Sequence, residues 1–488
     1  MPRIATSVLA TALLALACAL PAAAQRSAAE PVRRVESESA RTAAVRSQAS
    51  RSLAPAPTAV PEEPGGTCAP ALVNPARPKL VFLNYFWYKP EEFQCNMLVP
   101  SDGPVDSNDS GFNGYYHRRF KRLERHGVDV LGLVLTGFDR PDPDVDGNVV
   151  GTWRHGRNLQ KAAFLAGDVG LPFFVYYDLA VRMSSMQKLC KTPAPASQYR
   201  CRNPQHTPVD IYDLRKASIY HQIRRDLLRI KDDLILPFVN GYYMLENEAG
   251  QRILDDGLPR PVIGIYISRE LVANNRINRL LDFVVRKYRE DGLGRPAFVL
   301  DNIFWDDPVH RDVVERFGDT AVALTSFFPV NQPVATERGV TRMLEWVPHL
   351  RKLYSDAGEA LLADPDLHAL QVWPGVASMF DNRQTRTASC VGFQDPLTPQ
   401  MRWHLHGKED WRALLNMAYE STYRVQRGCA EGSDGELPVQ SLVINYENEF
   451  RESAVTDCVR KTSDGRISYP FHFACELLRV AREEDRWR

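Results

Sequence analysis

The 488-residue chain has no charge imbalance, since 60 Lys and Arg stand against 60 Asp and Glu. A surface without basic excess does not concentrate on a phosphate backbone, so an electrostatic nucleic-acid binder is excluded. Beyond the N-terminus there is no apolar run near the roughly 18 residues that span a bilayer, which excludes a polytopic membrane protein. No Cys-x-x-Cys or Cys-x-x-His spacing occurs, so the cysteines do not read as a metal cluster. There is no Gly-x-Ser-x-Gly elbow, which disfavours a serine hydrolase. No Gly-rich phosphate loop follows the first strand-like run, which disfavours a dinucleotide fold.

What is present begins with an export signature. Arg3 precedes an apolar stretch from Val8 to Leu20, followed by Pro21 and the small residues Ala22–Ala24 before Gln25. Residues 1–24 read as a signal peptide cleaved after Ala24, which places the mature chain in the periplasm or the medium. Cys18 follows a poor lipobox, so secretion is favoured over lipidation. Residues 25–66 are rich in Ala, Ser, Arg and Pro with almost no aromatics, and cannot bury enough apolar surface to offset their ordering entropy. They read as a disordered linker before a single domain over 67–488, with no integral membrane segment after signal cleavage. Eight cysteines remain after the signal, an even number consistent with disulfides in an exported protein. Neighbour pairing (68–95, 190–201, 390–429, 458–475) is one of about 105 connectivities.

From residue 79 onward, apolar strand-like runs alternate with amphipathic helical stretches. The strands are expected at 79–88, 128–136, 171–178, 261–267, 296–301, 320–325, 370–374 and 441–446. The helices are expected near 113–126, 157–168, 217–236, 273–291, 308–317, 338–361, 408–427 and 470–484. Continuous apolar strands, each followed by a helix, suit a parallel sheet buried on both faces, and eight such units close into a (β/α)8 TIM barrel. Residues 241–254 read as a β-hairpin inserted before strand 4, turning at Asn247-Glu-Ala-Gly250.

Barrel chemistry sits where the strands end. The candidate substrate-binding residues there are Tyr85, Trp87 and Tyr88 after strand 1, Tyr177 and Asp178 on strand 3, and Tyr266 on strand 4. Asp301 on strand 5, Trp373 on strand 7, Asn382 in the loop beyond it and Asn448 after strand 8 complete the set. Aromatic faces stack on sugar rings and carboxylates bind hydroxyls and move protons, so the collection points to a carbohydrate partner. Glycosidic cleavage needs two carboxyl groups, and Glu447, Glu449 and Glu452 cluster after the last strand; Asp178 and Asp301 compete for the role. His404 and His406 lie in a polar loop rather than at a strand end, and neither a metal nor a cofactor is expected.

The run Asn448-Glu449-Phe450-Arg451-Glu452-Ser453-Ala454 resembles the Asn/Asp-Glu-x-x-Glu-Gly-Thr signature of glycoside hydrolase family 99, the endo-α-mannosidases, and their wider relatives. Asn84-Tyr-Phe-Trp-Tyr88, Phe174-Val-Tyr-Tyr-Asp-Leu179 and Trp373-Pro-Gly-Val-Ala-Ser-Met-Phe-Asp-Asn382 resemble further segments of that family, in order. His117, in Tyr115-Tyr-His-Arg, matches a family His or serves as a capping or core residue. The resemblance spans about residues 79–480. It implies a metal-free barrel and a retaining mechanism. In it Glu449 acts as base on the sugar 2-hydroxyl, giving an anhydro-sugar intermediate, and Glu452 protonates the leaving oxygen and then activates water. Phe450, Ser453 and Ala454 replace the family's Trp, Gly and Thr, so the resemblance implies glycosidase chemistry rather than a particular sugar. The expected function is an exported glycoside hydrolase acting on a polysaccharide or glycan. The alternatives are a non-catalytic carbohydrate-binding barrel and a protein associated with polysaccharide synthesis.

Overall fold

The computed structural model describes residues 69–74, 77–84, 99–100, 109–125, 127–135, 138, 140–143, 149–153, 155–179, 217–266, 268, 271, 275–303, 308–326, 340–376, 379–381, 402–404, 408–426, 437–444, 448–449, 454–455 and 459–461. The expected export signal at 1–24, the expected linker at 25–66 and all the cysteines lie outside these residues.

The chain forms an α/β barrel. Its wall strands are β1 (Lys79–Asn84), β2 (Val130–Leu135), β3 (Phe173–Asp178), β4 (Val262–Tyr266), β5 (Ala297–Asp301) and β6 (Ala321–Thr325). They continue in β7, which has two pieces, Gln371–Trp373 and Gly375–Val376, and β8 (Ser441–Ile444). Each of β1 to β6 pairs in parallel with the next, and β6 with the first piece of β7. The second piece of β7 pairs with β8, and β8 with β1. Strands such as Val130-Leu-Gly-Leu-Val-Leu135 are buried at every position, because the barrel interior covers one face and helices cover the other.

The helices are α1 (Asp109–Arg125), α2 (His155–Val169), α3 (Ala217–Ile230), α4 (Asn275–Glu290), α5 (Arg311–Phe317), α6 (Met343–Ala363) and α7 (Lys408–Glu420). The helix expected at 470–484 lies outside the described residues. Two of the others end differently from expectation. After α3 the chain widens into a π turn over Lys231–Ile235, where the buried Lys231 ammonium is held by Asp232 and Asp291. α7 stops at Glu420, and Tyr423–Gln426 is a strand instead of helix. Its alternating Tyr-Arg-Val-Gln pattern buries Val425 and pairs antiparallel with the first piece of β7 on one side and Ala71–Val73 on the other. No described helix is long and apolar enough to cross a membrane.

Close packing inside the barrel explains two glycines. Gly264 pairs with Tyr176, and a Cβ at Gly264 would lie 2.0 Å from the Tyr176 ring. Gly132 pairs with Phe174 and lies beside Leu83, whose Cδ2 a Cβ would meet at 2.1 Å. Large side chains on one strand thus fill the space that glycine leaves on its neighbour. On the outer face, Phe298 of β5 meets Phe317 of α5 edge-on at 5.4 Å between centroids.

The inserted segment before β4 lies at the barrel's N-terminal base. Tyr242 bridges to Phe173 and Met244 to Pro261, at the starts of β3 and β4. The Tyr242 hydroxyl donates to the Val262 carbonyl at 2.8 Å and accepts from the Val175 N–H. The chain then reverses at Asn247, whose side-chain oxygen accepts from the N–H groups of Ala249 and Gln251, and Ile253 N–H returns to the Leu245 carbonyl. A second reversal at Asp256-Gly257 pairs Leu254–Asp255 with Leu258–Pro259. Tyr242, Tyr243, Met244 and Leu245 are all buried, so this strap closes the base. Lys79 at the foot of β1 joins it by an ion pair to Glu246 at 2.5 Å and by standing over the Tyr243 ring.

Candidate active site at the C-terminal mouth

Parallel register places the end residues of successive strands in one layer. Tyr266 pairs with Asp178, Asp301 with Thr325, and Thr325 with Trp373. Paired residues of parallel strands share a face, and successive residues alternate between faces. Phe298 and Leu300 alternate with Val299 and Asp301, and Phe298 packs outward on Phe317. Asp301, Thr325 and Trp373 therefore face the interior. Tyr177 faces the helices, so its neighbour Asp178 faces inward as well. Asp178, Asp301, Thr325 and Trp373 are buried and Tyr266 is half-buried.

Tyr177, expected among the substrate-binding residues, points to the helix layer instead of the interior. Its hydroxyl donates to the buried Asp226 of α3 at 2.6 Å, and Gln222 donates to the other carboxylate oxygen at 2.9 Å. The ring lines an apolar void between strands and helices, with Leu227, Ile265, Leu281 and Phe317. Tyr177 thus packs in the layer between strands and helices. Trp373 is inside the barrel but almost wholly enclosed, at 1% exposure, with its indole N–H donated to Gln371 at 2.8 Å. It fills the barrel and has no N–H left for a ligand. His117 lies away from the mouth, paired with Asp168 between α1 and α2 at 2.8 Å.

Asn448 and Glu449 form a short strand directly after β8, paired with Val455 and Ala454. The chain therefore doubles back between Glu449 and Ala454. The side chains of Asn448 and Glu449, and the whole of Tyr85, Trp87, Tyr88, Asn382 and Glu452, lie outside the described residues. Short strands also occur in the neighbouring connections, Val340–Arg342 pairing in parallel with Arg402–His404 and Met379–Asp381 antiparallel to it. Among the described residues no group of three or more His, Cys, Asp or Glu could hold a metal ion.

Sequence reasoning missed the end of β6 and a helix residue behind it. Thr325 is fully buried, and its Oγ1 has no hydrogen-bond partner among the described residues. An unpaired hydroxyl in such a place costs roughly 1–3 kcal/mol. The signal was available, since β6 ends in Thr325-Ser326 as other strands end in polar residues. Tyr354 of α6 donates to the Gly375 carbonyl at 2.5 Å and accepts from the Gly375 N–H at 3.0 Å. It stands where β6 would continue, and satisfies the side of β7 that β6 no longer reaches. Burial is the main cause that raises its pKa above the ordinary value, and the nearby negative charge of Asp301 adds to it. Ser268 Oγ donates to the Asp301 carbonyl at 3.0 Å, and Asn302 and Ile303 N–H donate to the Thr325 carbonyl. These bonds fix the backbone around the layer.

No family model matches the chain, and no curated protein matches it in sequence. In structure it is similar to a glycoside hydrolase-like protein, with a TM-score of 0.49 and 12% identity over 84% of this chain and 94% of that one. It is also similar to the GH99 endo-α-mannosidase of Bacteroides thetaiotaomicron, with a TM-score of 0.46 and 12% identity over 84% and 98% of the two chains. An exo-β-1,4-mannosidase of Opitutaceae bacterium strain TAV5 matches with a TM-score of 0.40 and 10% identity, over 83% and 60%.

Proposed function

We propose that this chain is an exported glycoside hydrolase of family-99-like type that cleaves a glycosidic bond in a polysaccharide or glycan. One observation carries the reading. The layer holding Asp178, Tyr266, Asp301, Thr325 and Trp373 lies at the same end of the barrel from which β8 leads into the Asn448–Glu449 hairpin. Two carboxyl groups and the half-buried Tyr266 ring thereby converge on the end where α/β barrels keep their chemistry.

In this reading the barrel is of the (β/α)8 type, with its eighth helix within 470–484 and the inserted hairpin as its basal closure. Glu449 removes the proton from the sugar 2-hydroxyl, whose oxygen displaces the leaving group and forms the anhydro intermediate. Glu452 gives its proton to the departing glycosidic oxygen, then takes one from the water that opens the intermediate. Configuration is retained after two inversions. The partner is a carbohydrate, and the site needs no metal for these steps.

The test is a polysaccharide and oligosaccharide screen with product analysis, on the mature chain and on Glu449→Gln and Glu452→Gln. Each substitution is expected to lower turnover about 100- to 10,000-fold while thermal unfolding is unchanged. Full activity in both variants sinks the mechanism. Binding of a glycan by the wild type without any product favours the non-catalytic barrel instead.

A further inference from the structure

We propose that the Thr325 hydroxyl is a recognition group for a hydroxyl of the bound sugar, beside Asp301 on the neighbouring strand. The inference rests on the carbohydrate reading of this site and adds a specificity-determining residue to it. Three observations support it. Thr325 faces the barrel interior in the end layer, in register with Asp301 on one side and Trp373 on the other. Its Oγ1 has no hydrogen-bond partner among the described residues, although the residue is wholly buried. The indole N–H of Trp373 is already donated to Gln371, so the tryptophan cannot serve the ligand polar group that Thr325 would serve.

The chemistry follows from the donor inventory. A threonine hydroxyl both donates and accepts, as does a sugar hydroxyl, whereas an ionised carboxylate only accepts. Adjacent strands lie about 4.8 Å apart, so one sugar hydroxyl held between β5 and β6 can donate to Asp301 and accept from Thr325. A ligand that supplies the missing partner binds without leaving a buried polar atom unpaired. A sugar lacking that hydroxyl leaves Thr325 as unsatisfied as before, which is how a site built on hydrogen bonds discriminates.

The position permits a test that separates ligand recognition from structural support. Thr325→Val keeps the shape of the side chain and deletes only the hydroxyl. Thr325→Ser keeps the hydroxyl. Wild type and both variants, as mature full-length chains, are titrated calorimetrically with maltose, cellobiose, α-1,2-mannobiose and β-1,4-mannobiose, and their thermal unfolding is followed in parallel. The expected result is that Thr325→Val binds roughly 3- to 10-fold more weakly, the equivalent of one hydrogen bond, with an unchanged or higher melting temperature. Thr325→Ser should bind within about 2-fold of wild type. Unchanged affinity in Thr325→Val overturns the proposal and leaves the hydroxyl to an enclosed water only. A lower melting temperature in Thr325→Val overturns it too, because the hydroxyl would then support the fold. If the wild type binds none of the four sugars, the carbohydrate reading falls, and the inference falls with it.

Discussion

The two ends of the barrel are closed by different means. At the base, a strap from Gly241 to Pro259 is tied to the wall mainly by backbone hydrogen bonds and buries four consecutive side chains, Tyr242 to Leu245. At the mouth, the inner layer presents two carboxylates, a half-buried tyrosine and a threonine whose hydroxyl has no partner among the described residues. Backbone pairing satisfies polar groups within the chain and leaves no chemistry over. Polar side chains held facing inward leave chemistry available, at a cost in stability that burial elsewhere must offset. The base is therefore closed by the chain itself, and the proposed function assigns the chemistry to the mouth.

The variants that test this contrast most strongly are the glutamine substitutions at Glu449 and Glu452, where turnover is expected to collapse without loss of fold. Tyr177→Phe comes next and should behave as a wall residue. Loss of its bond to the buried Asp226 is expected to destabilise the protein by about 1.5–3 kcal/mol, with kcat/KM unchanged. Urea unfolding and steady-state kinetics check both halves, and a selective fall in kcat/KM would return Tyr177 to the site.

A smaller effect is expected at the base from Asp129. Its carboxylate accepts from the Leu80 N–H at 2.8 Å, and burial raises its pKa above the ordinary 3.8, against the opposing pull of that bond and of Arg77 and Lys79. A raised carboxyl pKa favours the protonated fold. Its contribution to stability is full below the ordinary value and is lost as pH rises through the raised one. Asp129→Asn keeps an acceptor for Leu80 and does not titrate. The stability of wild type relative to this variant should therefore decline as pH rises above the ordinary 3.8, read as the difference in urea midpoints. A difference that is flat or grows as pH rises would contradict the assignment.

The smallest effect belongs to Tyr243 in the strap. Its buried hydroxyl also lacks a partner among the described residues, but it lies at the sealed end beneath Lys79. Tyr243→Phe removes an unsatisfied group and is expected to change stability by no more than about 1 kcal/mol, in the stabilising direction, and to leave sugar binding untouched. Weaker sugar binding in Tyr243→Phe would erase the distinction between the two orphaned hydroxyls.

Much of the barrel was legible in the sequence. The strands from Lys79 to Ile444 read as continuous apolar runs because both their faces are covered, and that signal needs no partner to be known. The strand at Tyr423–Gln426 was not legible. It continues a helical pattern without a proline or glycine to stop it, and only pairing with β7 and Ala71–Val73 makes it extended. The polar strand ends were legible in the sequence, but not the direction in which each side chain points. Tyr177 and Asp178 are neighbours in the same run, yet alternation turns one to the helix layer and the other to the interior.

Taken alone, the order and hydrophobicity of the residues determined which segments are wall, which are helix and at which end acidic and aromatic groups gather, because burial and periodicity are local properties of the chain. Which of those groups face inward was decided only by the register between strands. A shift of one residue in pairing exchanges the two faces, and pairing partners such as Asp301 and Thr325 are brought together by closure of the sheet rather than by anything written within either strand.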